Sequence, residues 1–249
     1  NGTLTANNTA AVTISAGLTG GASGLQIDGT GDLTISGVIS GSNGLTKNGT
    51  GTTTLTTAPT YTGTTTTSAG TLEFEDAAIA TATSFTHSIT TGATVEYDTA
   101  GSNRSDPTSL HINGGGTFKK SGGGQLSLVS GGSVWDLDSG GLVHVTGGVF
   151  NFGGATPGIW TSNMGDMEID GGATFEGRST EIFINALDGA GILGIGGKAS
   201  TGTGVALTIG AAGGGGTFSG VIKNTTDYGT GYVGAPFNIE KINGGTQIL

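Results

Sequence analysis

The stretch Asn43 to Phe74, NGLTKNGTGTTTLTTAPTYTGTTTTSAGTLEF, decides how the rest of the chain is read. Its large aliphatic and phenyl side chains, Leu45, Leu55, Leu72 and Phe74, stand apart, separated by runs of Thr punctuated by Gly. β-Branched Thr suits a pleated, half-buried strand, and Gly supplies the backbone freedom of a tight turn. The segment therefore predicts short strands joined by tight corners. In Leu72-Glu73-Phe74-Glu75 apolar and acidic residues alternate, which points Leu72 and Phe74 inward and Glu73 and Glu75 outward.

The same grammar runs outward in both directions. Leu25-Gln26-Ile27, Leu33-Thr34-Ile35, Leu110-His111-Ile112 and Leu126-Ser127-Leu128 repeat the two-residue period, as do Thr94-Val95-Glu96-Tyr97 and Leu142-Val143-His144-Val145. Starts of such pieces fall roughly 8–10 residues apart, the spacing of an all-β sandwich, barrel or solenoid. Helical periodicity is nowhere sustained. The expected core includes Leu25, Ile27, Leu33, Ile35, Leu110, Ile112, Leu126 and Leu128.

Composition narrows the choice. Gly supplies 53 of 249 residues, while 34% of the chain is hydrophobic and only 10% charged. A disordered chain would be less apolar and more charged. Each Gly inside an element costs roughly 0.5–1 kcal/mol relative to Ala, so this many must sit in turns. The net charge of −10, with Arg only at Arg104 and Arg178, disfavours nucleic acid, whose phosphates call for clustered cations. No apolar run approaches the ~20 residues of a membrane-spanning helix, so no direct membrane insertion is expected. Cysteine is absent, which removes disulfides and thiolate metal sites. No cofactor is expected.

Internal echoes favour a solenoid over a sandwich. Ile35-Ser36-Gly37-Val38-Ile39 returns as Phe218-Ser219-Gly220-Val221-Ile222, and Gly44 to Thr50 is echoed by Ile239 to Thr246. Self-similarity is the mark of repeat architecture. Three short strands per coil give rungs of roughly 22–30 residues and about ten rungs. The expectation is a single all-β domain over residues 1–249, a right-handed parallel β-helix, with a β-sandwich as the alternative.

The opening stretch also resembles the passenger-associated strand repeat of bacterial autotransporters and related large surface adhesins. The head of that repeat matches Gly44, Leu45, Lys47, Gly49, Gly51 and Leu55; its turn matches Tyr61 and Gly63; its tail matches Gly70, Thr71 and Leu72. The resemblance implies a parallel β-helix displayed at or beyond a bacterial cell surface, and no chemistry. The function it implies is structural or adhesive: a stiff stalk or a filament subunit rather than an enzyme. Its partners would be further copies or rungs of itself, and host or environmental surfaces or polysaccharide.

Other readings rest on particular residues. Asp166, Glu168 and Asp170 alternate with Met167 and Ile169, so three carboxylates share one outer strand face. They are the densest acidic group in the chain, the candidate ligands for a calcium ion and the starting point for the alternative function, a carbohydrate-active β-helix enzyme (lyase or glycosidase), although a solvated face is the plainer reading. Arg178 stands close enough in sequence to pair with one of them. Asp28-Gly29-Thr30-Gly31-Asp32 brushes against a calcium-binding nonapeptide, with its Asp out of place. His87, His111 and His144 read as isolated, outward-facing sheet residues. Thr52, Thr54, Thr56, Thr64 and Thr66 suggest an ice-binding face if continued on every rung. Trp135, Trp160, Tyr61, Tyr97, Tyr228 and Tyr232 would offer sugar-stacking platforms for polysaccharide if exposed, but read chiefly as core or turn packing.

The two ends are strand-like, with Thr3 and Leu4 at one and Gln247, Ile248 and Leu249 at the other. Gly2-Thr3-Leu4 matches the repeat tail, and Ile239 to Leu249 matches its head. Both ends are therefore expected to be continued, by further solenoid in one chain or by head-to-tail stacking.

Overall fold

In the computed structural model, the described residues are 2–79, 85–106, 109–128, 132–153, 159–160, 162–177, 181–195, 206–224 and 238–249. Every paired strand among them runs parallel to its neighbour. Successive strands in the chain belong to different sheets, so the backbone winds as a coil. The fold is a parallel β-solenoid, and the sandwich alternative is set aside.

A seven-stranded sheet begins with Gly2–Thr5, Leu25–Asp28 and Leu45–Lys47 and closes with Val134–Leu137. A nine-stranded sheet runs from Val12–Ile14 through Thr52–Leu55 and Thr71–Glu75 to Leu187–Gly189. Nine stacked strands make eight turns, slightly fewer than the ten or so rungs expected. Two isolated bridges, Gly189 with Phe218 and Thr217 with Ile248, continue that side of the coil. A six-stranded sheet starts at Arg104–Asp106 and ends at Val221–Asn224. Smaller sheets join Glu181–Ile184, Ala206–Ile209 and Asn238–Lys241, and Leu18–Thr19 with Ile39–Ser40.

Turn length explains why the third large sheet starts late. Along the nine-stranded sheet one turn takes 19 residues, from Thr53 to Leu72, up to 25, from Phe118 to Val143. The early turns are short and give their third side only the two-residue strands at Leu18 and Ile39. At the change-over the helical turn Asp76–Ala78 carries Asp76 at φ 38°, and Arg104 Nε donates to its Oδ1 at 3.4 Å.

Inward side chains stack in columns set by the parallel register. One inner column of the long sheet reads Val12, Leu33, Thr53, Leu72, Val95, Phe118, Val143, Met167, Leu187. All eight residues expected in the core are buried, as are Leu72 and Phe74, while Glu73 and Glu75 face out. Rings gather in the middle of the coil. Phe74, Tyr97, Phe118 and Trp135 follow one another at centroid distances of 5.1–5.2 Å, and Trp135 stacks on Trp160 at 5.7 Å. Burial of one such side chain contributes about 1.5–3 kcal/mol, and the coil collects that term at each level. Among the described residues no helix is long and apolar enough to cross a membrane.

Candidate functional site

The repeat-like residues build a corner. Lys47 stands in an inner column between Ile27 and Thr67, and only 2% of its surface is exposed. Its stem lies in the core, and its ammonium turns back to donate to Gly49 O and, at 3.4 Å, to Ala69 O of the next turn. Burial lowers the Lys47 pKa, and the charges of Asp28 and Asp32 oppose that shift. Gly70 supplies the next corner at φ 63°, where a Cβ would lie 2.5 Å from Gly51 O. Tyr61 is buried with its hydroxyl 2.5 Å from Thr65 Oγ1.

This corner recurs at a place the sequence reading passed over. Phe118, Lys120, Gly122, Gly124 and Leu128 stand 73 positions beyond Leu45, Lys47, Gly49, Gly51 and Leu55. Lys120 is fully buried and donates to Gly122 O and Gly124 O at 2.8 Å and to Gly147 O of the next turn at 2.7 Å. Burial pushes its pKa down to about 8 against the pull of Asp98. The third copy is the one the echo at Ile239 to Leu249 anticipates: Lys241 donates to Ile242 O and Gly244 O, both at 2.7 Å. Lys47 and Lys120 each clamp their own corner to the next one; Lys241 makes the own-corner contacts.

The outer face of the nine-stranded sheet carries the polar chemistry. Its central column reads Thr13, Thr34, Thr54, Glu73, Glu96, Lys119, His144, Glu168, Asp188. Thr54 Oγ1 donates to Glu73 Oε2 at 2.7 Å, and Lys119 Nζ pairs with Glu96 at 2.9 Å. Burial, first, and the nearby carboxylates Glu96, Asp98 and Glu75 raise the Glu73 pKa. The Thr pair of Thr52 and Thr54 is followed on the next strand by Thr71 and Glu73, so the regular Thr array of an ice-binding face is not continued there.

The three acidic candidates are not brought together as a trio. Asp166 Oδ1 accepts from Asn185 Nδ2 at 2.8 Å, and burial raises its pKa, helped by Asp188. Glu168 and Asp170 instead meet His144. His144 and Glu168 are register partners on adjacent strands, and His144 Nε2 lies 3.8 Å from Glu168 Oε2 and 3.0 Å from Asp170 Oδ1. Arg178 lies outside the described residues, as do Tyr228 and Tyr232. The Asp28–Asp32 segment serves corner bonding: Asp32 Oδ1 accepts from Thr52 N at 2.7 Å, and Thr30 N donates to Asn7 Oδ1 at 3.3 Å.

The outward reading of His87 is corrected. His87 is fully buried, stacked between Thr65 and Ile112, with Nε2 2.9 Å from Tyr97 Oη and its ring edge-on to Phe74. Burial pushes its pKa down to about 3. His111 and His144 do sit on outer positions, and His111 approaches Asp136 at 3.9 Å. Trp135 and Trp160 are buried, in line with a packing role.

At the ends, Thr3 is exposed and Leu4 half-buried. Gly2–Thr5 belongs to the seven-stranded sheet, whereas Thr71–Glu75 belongs to the nine-stranded one. At the other end Gln247 acts as a surrogate peptide group. Its Oε1 accepts from Leu187 N and Gly216 N at 3.1 and 3.0 Å, and its Nε2 donates to Leu187 O at 2.7 Å. Ile248 and Leu249 remain 57% and 59% exposed.

The chain matches no protein-family model, no curated protein and no solved structure.

Proposed function

We propose that the protein is a structural element of an extracellular bacterial surface assembly, a stiff stalk or filament segment with adhesive use. The observation that carries this reading is the uninterrupted stacking of nine parallel strands from Val12–Ile14 to Leu187–Gly189, with buried lysines tying successive corners together. Such a coil resists bending because each level is bonded to the next along its paired strands. The surface setting is supported by the resemblance of Asn43 to Phe74 to autotransporter passenger repeats.

Self-association follows from the edge chemistry. Val221, Ile239, Ile248 and Leu249 are 42–59% exposed, and among the described residues Lys241 donates within its own corner and not to a next-level carbonyl of the kind Lys47 and Lys120 hold. A further rung, from the same chain or a second copy, would cover the apolar residues and supply that carbonyl. A head-to-tail contact of this kind does not close on itself and yields open fibres. Electron microscopy of the purified chain over a concentration series tests the reading. Rods of constant width whose length grows with concentration are expected, and Ile239→Glu with Ile248→Glu should stop the growth. Compact particles indifferent to concentration, or glycan cleavage lost on replacing Asp166, Glu168 and Asp170, would overturn it.

A further inference from the structure

We infer that His144, Glu168 and Asp170 form a binding site for a divalent transition-metal ion with the coordination habits of Zn2+. The site lies on the outer face of the long sheet, apart from the lysine-clamped corners and the coil's ends. One ligand atom from each residue lies within 4.8 Å of the other two. With metal–ligand bonds of about 2.1 Å, neighbouring ligand atoms stand about 3.0 Å apart in an octahedral shell and about 3.4 Å apart in a tetrahedral one. The distances from His144 Nε2, 3.0 and 3.8 Å, bracket those spacings, so small rotations of the carboxylates bring the donors onto one ion.

Backbone order makes the set pre-arranged. His144 sits on Leu142–Val145 and Glu168 on Asp166–Ile169, directly opposite in a parallel pair, and Asp170 follows Glu168 by two residues. Inward Val143, Val145, Met167 and Ile169 are all buried, which fixes the strands from beneath. The side chains of His144, Glu168 and Asp170 are 24%, 40% and 42% exposed, open enough for an ion to enter from solvent.

Among the described residues the three donors are uncommitted elsewhere, and their surroundings are electrically suited to a cation. Lys119, the cation on the preceding strand, is drawn to Glu96 at 2.9 Å. Asp188, the register partner of Glu168 on the following strand, adds a further negative charge. Asp166 is held by Asn185 and is not a ligand. The donor set also selects the ion. Calcium takes six to eight oxygens, whereas one imidazole nitrogen with two carboxylates suits Zn2+ and its neighbours. Three protein ligands on one side leave the solvent side for water or for an oxygen donor of another molecule.

Titration of the full 249-residue chain with Zn2+ in a non-chelating buffer, followed by calorimetry, tests the site. Saturable binding of one ion per chain is expected. His144→Ala, Glu168→Gln and Asp170→Asn should each weaken it by about ten-fold or more, while Asp166→Asn and His111→Ala leave it unchanged; circular dichroism checks that each variant keeps its fold. Because the chain has three histidines, imidazole resonances of the unmodified protein give a second readout, with His144 alone shifting on Zn2+ addition. Absence of saturable binding, undiminished binding in His144→Ala, or a shift at His111 in place of His144 would overturn the assignment.

Discussion

The lysines at positions 47 and 120 and His87 all hold polar groups inside the coil, but by different means. Each lysine buries its stem and satisfies corner carbonyls, so its charge stays hydrogen-bonded. His87 is instead enclosed as a neutral ring beside Tyr97 Oη. Its folded pKa of about 3 lies below the ordinary 6.5, so between those values the unfolded chain binds more protons. The His87 contribution is fully present above pH 6.5 and fades as pH falls towards 3. The whole window is worth at most roughly 5 kcal/mol, at about 1.4 kcal/mol per unit. His87→Gln retains an amide that can reach Tyr97 but does not titrate. Its denaturation midpoint should fall less steeply than that of the wild type as pH drops from 6.5 to 4, and equal slopes would contradict the burial argument. Gly70 gives a second residue-scale test. At φ 63°, with a Cβ directed at Gly51 O, Gly70→Ala should lower stability by about 1–3 kcal/mol in urea unfolding. A neutral outcome would mean the corners are not stacked this closely.

Strands and corners show which parts of the fold were legible. Two-residue alternation around Leu25, Leu33, Leu110 and Leu126 placed those side chains correctly, because each strand has one dry face. The same rule contained the right answer for His87, which stands two residues before Ile89, itself buried. Treating histidine as polar overrode the period. The corner at Phe118 to Leu128 was legible too, once Lys and two Gly at fixed spacing are sought instead of the full repeat. The partnership of His144 with Glu168 was not, since it depends on the 24-residue length of one turn, which is set by corners whose lengths vary. The outer columns make a prediction of their own. Glu73 faces Glu96 on the next strand, and like charges opposite one another destabilise a sheet. Glu73→Gln keeps an acceptor for Thr54 and should raise stability at pH 7 by no more than about 1 kcal/mol. The raised Glu73 pKa has a matching sign: the folded form binds more protons, so its contribution is present at low pH and lost as pH rises. A destabilised Glu73→Gln would mean that its pairing with Thr54 outweighs the repulsion.

For the whole molecule, stability is a sum over levels and the contacts between them, and length follows from the number of levels. Along the central outer column, Thr34 and Lys119 are four levels apart, and Thr34 and Asp188 are seven. At about 4.8 Å per level those separations are about 19 and 34 Å. The chain has no cysteine, so cysteines introduced in pairs can be spin-labelled without side reaction. Electron–electron distance measurements on Thr34→Cys with Lys119→Cys, and on Thr34→Cys with Asp188→Cys, report the rise of the coil directly. A difference of about 14 Å between the two pairs, in narrow distributions, is the expected result. Equal or overlapping distances would mean that the chain folds back on itself and is not a stacked rod.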